Sequence, residues 1–395
     1  MDSKKLKILW LHPHFLNWMG GHKYILEVSK RLKKKGLSIV VGSDIFSKEA
    51  RDNFLKEGVE TLVLSGKSTN DYCYWFKLPQ FINRDVQILT RRKKNFDLVI
   101  SSMFPMNVVG NELGLPHIQL CYEPYAFFFD NNFISGFPKF QRLVIKLTRI
   151  FYRSLDICAT RSSDTVLTLS EYNKKWIKRC YGRGNSKVVY EGVSLDFFKP
   201  MRNLSIENKY QGKFLLFHST DFTPIKGTPH LIKALKFVVK KVPNVLLLIT
   251  HTLSNKQGQE NIIRLAKRLG VYKNIEFLGF VDYKLLPVYM SVSDIVVQPS
   301  IGQSMNLTVK EAMACGTAVI TSPEGEEQYK DGEAGFLVNP KNHSKLASKI
   351  LELLEDPETR NIMGKRGRRI IEEKFSWDAV ADKFYAGILE LLNEK

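Results

Sequence analysis

Short runs rich in β-branched and aromatic residues alternate with longer stretches of helical period along the whole chain. That alternation constrains the fold more than any other feature, because it is the pattern of parallel strands joined by crossover helices. In the first half the strand-like runs fall at Lys7–His12, Ser38–Gly42, Val59–Leu64, Asp97–Ser101, His117–Cys121, Thr165–Ser170 and Lys187–Glu191. In the second half they fall at Phe214–His218, Val245–Thr250, Asn274–Leu278, Asp294–Gln298 and Ala318–Thr321. Each set suits one Rossmann-like sheet, so the expected class is α/β with two such domains. The length of 395 residues exceeds one typical domain, and 44% hydrophobic residues are enough for two cores. Between the sets, residues 200–212 (PMRNLSIENKYQG) are polar and aperiodic. A linker is expected there, separating domain 1–200 from domain 201–376. The helical pattern from Ser344 breaks at Asp356-Pro357 and near Phe375, and its last amphipathic stretch, residues 377–395, is expected to complete the first domain.

The net charge of +19 is unevenly distributed. Residues 1–200 hold 32 Lys and Arg against 18 Asp and Glu, net +14; residues 201–395 hold 27 against 22, net +5. Such a field favours anionic partners. The basic residues form no recognised nucleic-acid module, which leaves an anionic membrane surface as the candidate partner and excludes nucleic acid. No apolar run approaches the roughly 20 residues of a membrane span, and the charged start Met1–Lys7 does not resemble a signal peptide. The expected location is therefore cytoplasmic, peripheral on the inner face of the plasma membrane. Five scattered cysteines without a C-x-x-C pair indicate neither a zinc site nor a disulfide framework.

Three segments carry the chemistry. The first strand leads into Gly20-Gly21 and a helix expected to start near His22. Paired glycines there let a backbone approach a phosphate, and they are equally an ordinary turn. The second segment is Phe217–Ala234, FHSTDFTPIKGTPHLIKA, a strand, a loop with Lys226-Gly227 and a helix. That order aims Lys226 at the crevice beyond the carboxyl end of a sheet, where a lysine suits a diphosphate. The third is Pro299–Ile320, PSIGQSMNLTVKEAMACGTAVI. It places Glu311 inside a helix beside Leu307, Met313 and Ala314, a costly position for a carboxylate without hydrogen-bond partners. Vicinal ribose hydroxyls would satisfy it, and so would capping a neighbouring loop.

These segments together resemble family 4 glycosyltransferases of the GT-B fold over nearly the whole length. Gly20-Gly21 with Lys35-Gly36, TVLTLSEYNKK at Thr165–Lys175, SKVVYEGVSLDFFKP at Ser186–Pro200, PIKG at Pro224–Gly227, KEAMACGTAVI at Lys310–Ile320 and DGEAGFLVNP at Asp331–Pro340 carry the resemblance. It implies two Rossmann-like domains whose parallel sheets face across a cleft, with the acceptor on the N-terminal domain and a nucleoside diphosphate sugar on the C-terminal one. It also implies retention at the anomeric carbon, no metal and no cofactor beyond the donor substrate. Nucleotide-sugar epimerases share the architecture, but the PIKG and KEAMACG segments favour transfer. By position, Lys226 with Gly227 would bind the diphosphate, Glu311 the ribose and Gly20-Gly21 the phosphate. Gln303 would face the sugar, while Ser304, Met305, Asn306 and Leu307 would offer backbone amides to it and to the phosphate. Lys226, Glu311 and Tyr122 are the candidate catalytic residues. The implied reaction is hexosyl transfer to a lipid-linked or saccharide acceptor.

Three positions depart from the family pattern. Asp221 stands where an arginine usually precedes the lysine by five residues, Gln303 replaces the first glutamate of E-x7-E, and Tyr122, beside Glu123, occupies the place of a histidine. The alternative they raise is a catalytically degenerate nucleotide-sugar-binding subunit of a glycan-assembly complex. His117, just after Pro116, is expected to be structural. The segment Phe140–Arg153, FQRLVIKLTRIFYR, carries Arg142, Lys146, Arg149 and Arg153 along one helical face and apolar residues on the others. It fits either a membrane-surface helix or a crossover helix packed on its sheet.

Overall fold

A computed structural model of the chain describes residues 5–16, 20–65, 72–131, 134, 137–251, 255–301, 306–323 and 327–394. The chain divides into two compact units, Met1–Gly192 with Val380–Lys395, and Val193–Ala379. The division falls ahead of segment 200–212, which lies inside the second unit and is held there. Asn203 accepts a hydrogen bond from the Ile206 amide at 3.1 Å and caps a short helix, Leu204–Lys209. Tyr210 is buried, with its hydroxyl on Glu276 at 3.1 Å. The polar residues that suggest a linker are here a helix cap and its neighbours.

In the first unit, strands β1 (Lys7–Leu11), β2 (Ser38–Ser43), β3 (Glu60–Val63), β4 (Leu98–Ser102), β5 (His117–Leu120), β6 (Thr165–Thr168) and β7 (Lys187–Val188) form a parallel sheet in the order β3-β2-β1-β4-β5-β6-β7. A further two-residue pair, His14–Phe15 with Ile45–Phe46, lies beyond it. Helix α1 (Gly20–Lys34) follows β1, α2 (Tyr72–Thr90) follows β3, and α3 (Lys139–Ser162) connects β5 to β6. The central strands are continuous apolar runs because both sheet faces are covered. Leu9 sits in register with Val40 and Val99, and all three are buried.

In the second unit, β8 (Phe214–Thr220), β9 (Val245–His251), β10 (Ile275–Gly279), β11 (Ile295–Gln298), β12 (Ala318–Thr321) and β13 (Gly335–Leu337) are parallel in the order β10-β9-β8-β11-β12-β13. Helix α4 (Thr228–Lys241) follows β8, and α5 (Leu307–Ala314) leads from β11 to β12. Leu216, Leu247, Ile295 and Ile320 of the sheet share one core with Leu231 and Leu235 of α4. Strand β13 had no counterpart among the expected runs. Helix α6 (Trp377–Asn393) ends the chain, and from Val380 onward it belongs to the first unit. Its Phe384 ring stacks on the buried Trp10 ring at 5.2 Å, while the Trp10 indole N–H donates to Ser102 Oγ at 2.8 Å.

Candidate functional site

Open parallel sheets bind ligands beyond the carboxyl ends of their strands, where the strand order reverses. In the second unit the reversal lies between β8 and β11, and the segments with Lys226 and Glu311 follow those two strands. The sequence after β8 folds into a short 3₁₀ turn, Pro224–Lys226, ended by Gly227 at φ +68°. A Cβ on Gly227 would overlap the carbonyl oxygen of Pro299. Only glycine permits both the left-handed backbone and that close approach. The Ile301 amide donates to the Ile225 carbonyl at 2.8 Å, so the loops after β8 and β11 are joined backbone to backbone.

A buried polar relay holds the Lys226 loop. The Phe222 amide donates to Thr220 Oγ1 at 2.9 Å, and the hydroxyls of Thr220 and Thr228 are 2.9 Å apart. Thr228 Oγ1 meets His218 Nε2 at 2.9 Å, and His218 Nδ1 meets the Val297 carbonyl at 2.9 Å. A carbonyl only accepts, so Nδ1 carries the proton and Nε2 accepts from Thr228. Burial lowers the imidazole to about 4, which keeps this histidine neutral. His218, Thr220 and Thr228 were not among the expected site residues. Their signal was polar residues at the end of a strand that faces a core.

Asp221 is engaged by its own loop, accepting from the Thr223 amide at 2.9 Å and the Thr223 hydroxyl at 2.6 Å. Burial raises its pKa, but the Thr223 hydrogen bonds and the nearby Lys226 charge outweigh that and hold the carboxyl below its ordinary value. Asn306 caps α5, its side-chain oxygen accepting from the Thr308 amide at 3.1 Å and its nitrogen donating to Ser300 Oγ at 3.0 Å. Leu307 opens the helix and is exposed, whereas Glu311 is buried within it. Lys310 beside Glu311 is fully buried, its ammonium 5.7 Å from the Phe375 ring centroid. Gln303, Ser304 and Met305 lie outside the described residues.

In the first unit the reversal lies between β1 and β4. A cavity of about 760 Å³ opens there, walled by His12, Gly20, Gly21, Phe104, Tyr122 and Glu191 among others. Gly20 and Gly21 are the first residues of α1 rather than a turn before it, and neither has positive φ. A Cβ on Gly20 would meet nothing within 4 Å, and the nearest atoms to one on Gly21 are those of the Tyr122 ring at 3.7 Å. Their smallness keeps cavity space open instead of serving backbone strain. The Tyr122 hydroxyl donates to the Gly21 carbonyl at 3.1 Å, and burial, partly opposed by a hydrogen bond with Ser102, pushes its phenol far up. His117 is structural: its Nε2 lies 2.7 Å from Ser101 Oγ and its Nδ1 2.6 Å from Asn111 Oδ1.

Two family profiles match the chain: "Glycosyltransferase Family 4" over residues 18–197 and "Glycosyl transferases group 1" over residues 202–370. The chain belongs to glycosyltransferase family 4. Among solved structures, a glycosyltransferase from Rickettsia africae superposes with TM-score 0.77 at 19% identity, covering 100% of both chains. The Anabaena protein HepE in complex with UDP and glucose gives 0.72 at 18%, covering 98% of this chain and 100% of that one. These likenesses give the GT-B fold. An uncharacterised glycosyltransferase of Methanocaldococcus jannaschii is 26% identical over 254 residues, covering 62% of this chain and 63% of that protein. A GDP-mannose-dependent monoacylated α-(1-6)-phosphatidylinositol monomannoside mannosyltransferase of Corynebacterium glutamicum is 28% identical over 244 residues, covering 56% and 60%. Both matches span less than two thirds of those relatives' own length.

Three imidazoles that were not among the expected site residues, His12, His14 and His22, also line the cavity wall. The His12 ring centroid is 5.1 Å from that of His22 and 6.2 Å from that of His14. Burial, then His22 and His14, lower His12 well below its ordinary value. The HPH run at the carboxyl end of β1 signals His12 and His14, whereas His22 lies in α1 and carries no such signal. Among the described residues no three His, Cys, Asp or Glu are grouped so as to hold a metal ion.

Helix α3, which contains Phe140–Arg153, is packed on one side and exposed on the other. It packs through Ile145, Thr148 and Asp156, yet its apolar stripe of Phe140, Leu143, Leu147, Ile150 and Phe151 faces outward. Ile150 and Phe151 are each 72% exposed. No described helix is long and apolar enough to cross a membrane.

Proposed function

We propose that this glycosyltransferase is a retaining, metal-independent hexosyltransferase that uses a nucleoside diphosphate sugar as donor. The observation that carries the reading is the β8/β11 crossover, where Gly227 packs against Pro299 and the two candidate donor segments meet. Lys226 would meet the diphosphate as it leaves, supplemented by the amides at the start of α5 behind the Asn306 cap. Glu311 would accept hydrogen bonds from the ribose hydroxyls. Gln303, Ser304 and Met305 keep their proposed contacts with the sugar and phosphate on the strength of the resemblance. Gly20-Gly21 and the cavity of the first unit would take the acceptor side, with Tyr122 acting through its bond to the Gly21 carbonyl. The donor class also draws support from the UDP and glucose bound to HepE.

The proposed acceptor is a lipid-linked or saccharide hydroxyl, and the proposed setting is an anionic membrane surface. The outward apolar stripe of α3 beside Lys146 and Arg153 supports that setting, because apolar area and cationic charge add in binding anionic lipid. The second reading, a binding subunit without transfer, is favoured by one observation, the Asp221 carboxylate next to Lys226. Calorimetry against a panel of nucleoside diphosphates and nucleotide sugars, with and without chelator, tests the donor assignment. Sugar release or transfer separates the readings: a donor that binds and is never turned over, even slowly to water, supports the binding subunit.

A further inference from the structure

Beside the large cavity of the first unit lies a second one of about 300 Å³. The two share His14, Met103, Phe104, Tyr125 and Phe127 as a common wall, so they are compartments of one site. Their chemistry differs. The large compartment is edged by Glu123, Asp130, Asp156, Glu191 and three imidazoles, which can pair with sugar hydroxyls. Among the described residues no carboxylate, lysine or arginine lines the small one; Trp75, Phe104, Phe127, Phe137, Val144 and Ile145 make it largely apolar, with His14 and Gln141 as polar members.

The small chamber is firmly built. Trp75 packs on Phe127 at 6.1 Å and on Tyr152 at 6.1 Å between ring centroids, and Phe127 packs on Phe137 at 5.9 Å. The Tyr152 hydroxyl donates to the Trp75 carbonyl at 2.6 Å, and Arg149 Nε donates to the Phe127 carbonyl at 3.2 Å, tying α3 to the opposite wall. A saccharide ring placed there would find few polar partners, chiefly His14 and Gln141, for the hydroxyls it desolvates. A hydrocarbon chain gives up no hydrogen bonds on entering, and burial outweighs the cost of ordering it.

The helix that walls the chamber also connects it to the surface. At about 100° per residue, the Gln141, Val144 and Ile145 side of α3 lies inside, and a basic stripe of Arg142, Lys146, Arg149 and Arg153 flanks it. The exposed stripe of Leu143, Leu147 and Ile150 follows next around the helix. Arg142 Nε and Arg149 Nη2 are buried donors with no hydrogen-bond partner among the described residues. One helix thus offers cations for an anionic surface, apolar side chains for its hydrocarbon layer and a largely apolar chamber on its inner side.

We infer that the aromatic chamber is a subsite for the hydrocarbon chain of an amphiphilic acceptor, whose saccharide end occupies the adjoining large cavity. This rests on the reading that the first unit binds the acceptor, and it commits the acceptor to the lipid-linked class. The occupant is recognised by chain burial at one end and by hydroxyl pairing at the other.

Calorimetry with n-alkyl glucosides from butyl to octyl, each below its micelle concentration, and with free glucose tests it on the full chain. Affinity should rise about fourfold per added methylene, the factor expected for burying one CH₂ group. Val144→Trp, which fills the chamber, should abolish that rise and leave nucleoside diphosphate affinity unchanged. Phe137→Ala, which removes a wall, should reduce the rise and serves if Val144→Trp does not fold. Leu143→Glu with Ile150→Glu on the outer face should preserve it. Affinity independent of chain length overturns the inference, as does a rise that survives in Val144→Trp or disappears in the outer-face variant. Chain-length dependence in a protein that binds no nucleoside diphosphate would sink the donor reading while supporting the chamber.

Discussion

The two units place the same strand order, 3-2-1-4-5 around the first strand of each sheet, under two different kinds of site. In the second unit the reversal point is tight. Gly227 is forced into a left-handed backbone, two loops are hydrogen-bonded to each other, and a neutral histidine relay locks the turn that holds Lys226. In the first unit the same point is roomy. Its glycines sit in an ordinary helix start, and imidazoles and aromatic rings line about 760 Å³ of space with an apolar annex. Topology decides where a ligand binds, and the loops decide what it is. A tight cradle suits a compact group such as the proposed diphosphate, whereas an open, mixed wall suits a larger ligand such as the proposed acceptor.

The glycines should separate the two sites most sharply. Gly227→Val should cost roughly 3–5 kcal/mol, adding left-handed strain to overlap with Pro299, and should abolish nucleoside diphosphate binding. Gly21→Ala should leave thermal stability unchanged or slightly raised, since alanine favours the helix and its Cβ makes an ordinary contact. Equal losses in both variants, measured by thermal unfolding, would break the contrast.

Acid should act on the relay next. Folded His218 titrates near 4 and the unfolded side chain near 6.5, so below pH 6.5 the unfolded chain takes up a proton that the folded one refuses. Stability is therefore full above about pH 6.5 and declines as the pH falls towards 4, by on the order of 3 kcal/mol. His12 in the first unit adds a slope of the same sign. His218→Asn should be less stable at pH 7 and flatter below it; an unaltered slope in denaturant titrations across this range would remove His218 as its source.

Smaller still is the donor contact. Lys226→Ala and Glu311→Ala should each weaken nucleoside diphosphate binding more than tenfold, at least about 1.4 kcal/mol, as read by calorimetry. Unchanged affinity in both would dissociate the donor from the β8/β11 crossover. Tyr122→Phe should have the smallest effect, about 1 kcal/mol of stability for a lost hydrogen bond to Gly21. Turnover should fall more than donor affinity, as expected of a residue on the acceptor side. A fall in donor affinity alone would move Tyr122 to the other role.

Much of this was legible in the chain itself. Apolar β-branched runs such as VLLLIT are strands wherever both faces are buried, so twelve strands were found at nearly their observed positions. The Lys226-Gly227 loop was legible because a strand, a loop and a helix in that order put the loop at the carboxyl end of the sheet, whereas the approach of Gly227 to Pro299 was not. Strand β13 was not, since three residues, Gly335 to Leu337, carry no period and gain their identity by pairing with Val319–Thr321. Nor was the true place of Gly20-Gly21, where the same dipeptide can precede a helix or begin it.

Local pattern and chemistry thus determined the fold class, the strand positions and the candidate donor segments, because each depends on residues near one another in sequence. Only the tertiary structure decided that Asn203 anchors an expected linker, that Asp221 is occupied by Thr223, and that the apolar stripe of α3 faces out. The aromatic chamber belongs with these. Its walls come from Trp75, Phe104, Phe127, Phe137 and Val144, residues spread over seventy positions that share no motif. They meet only because parallel strands bring the ends of distant segments to one edge of the sheet.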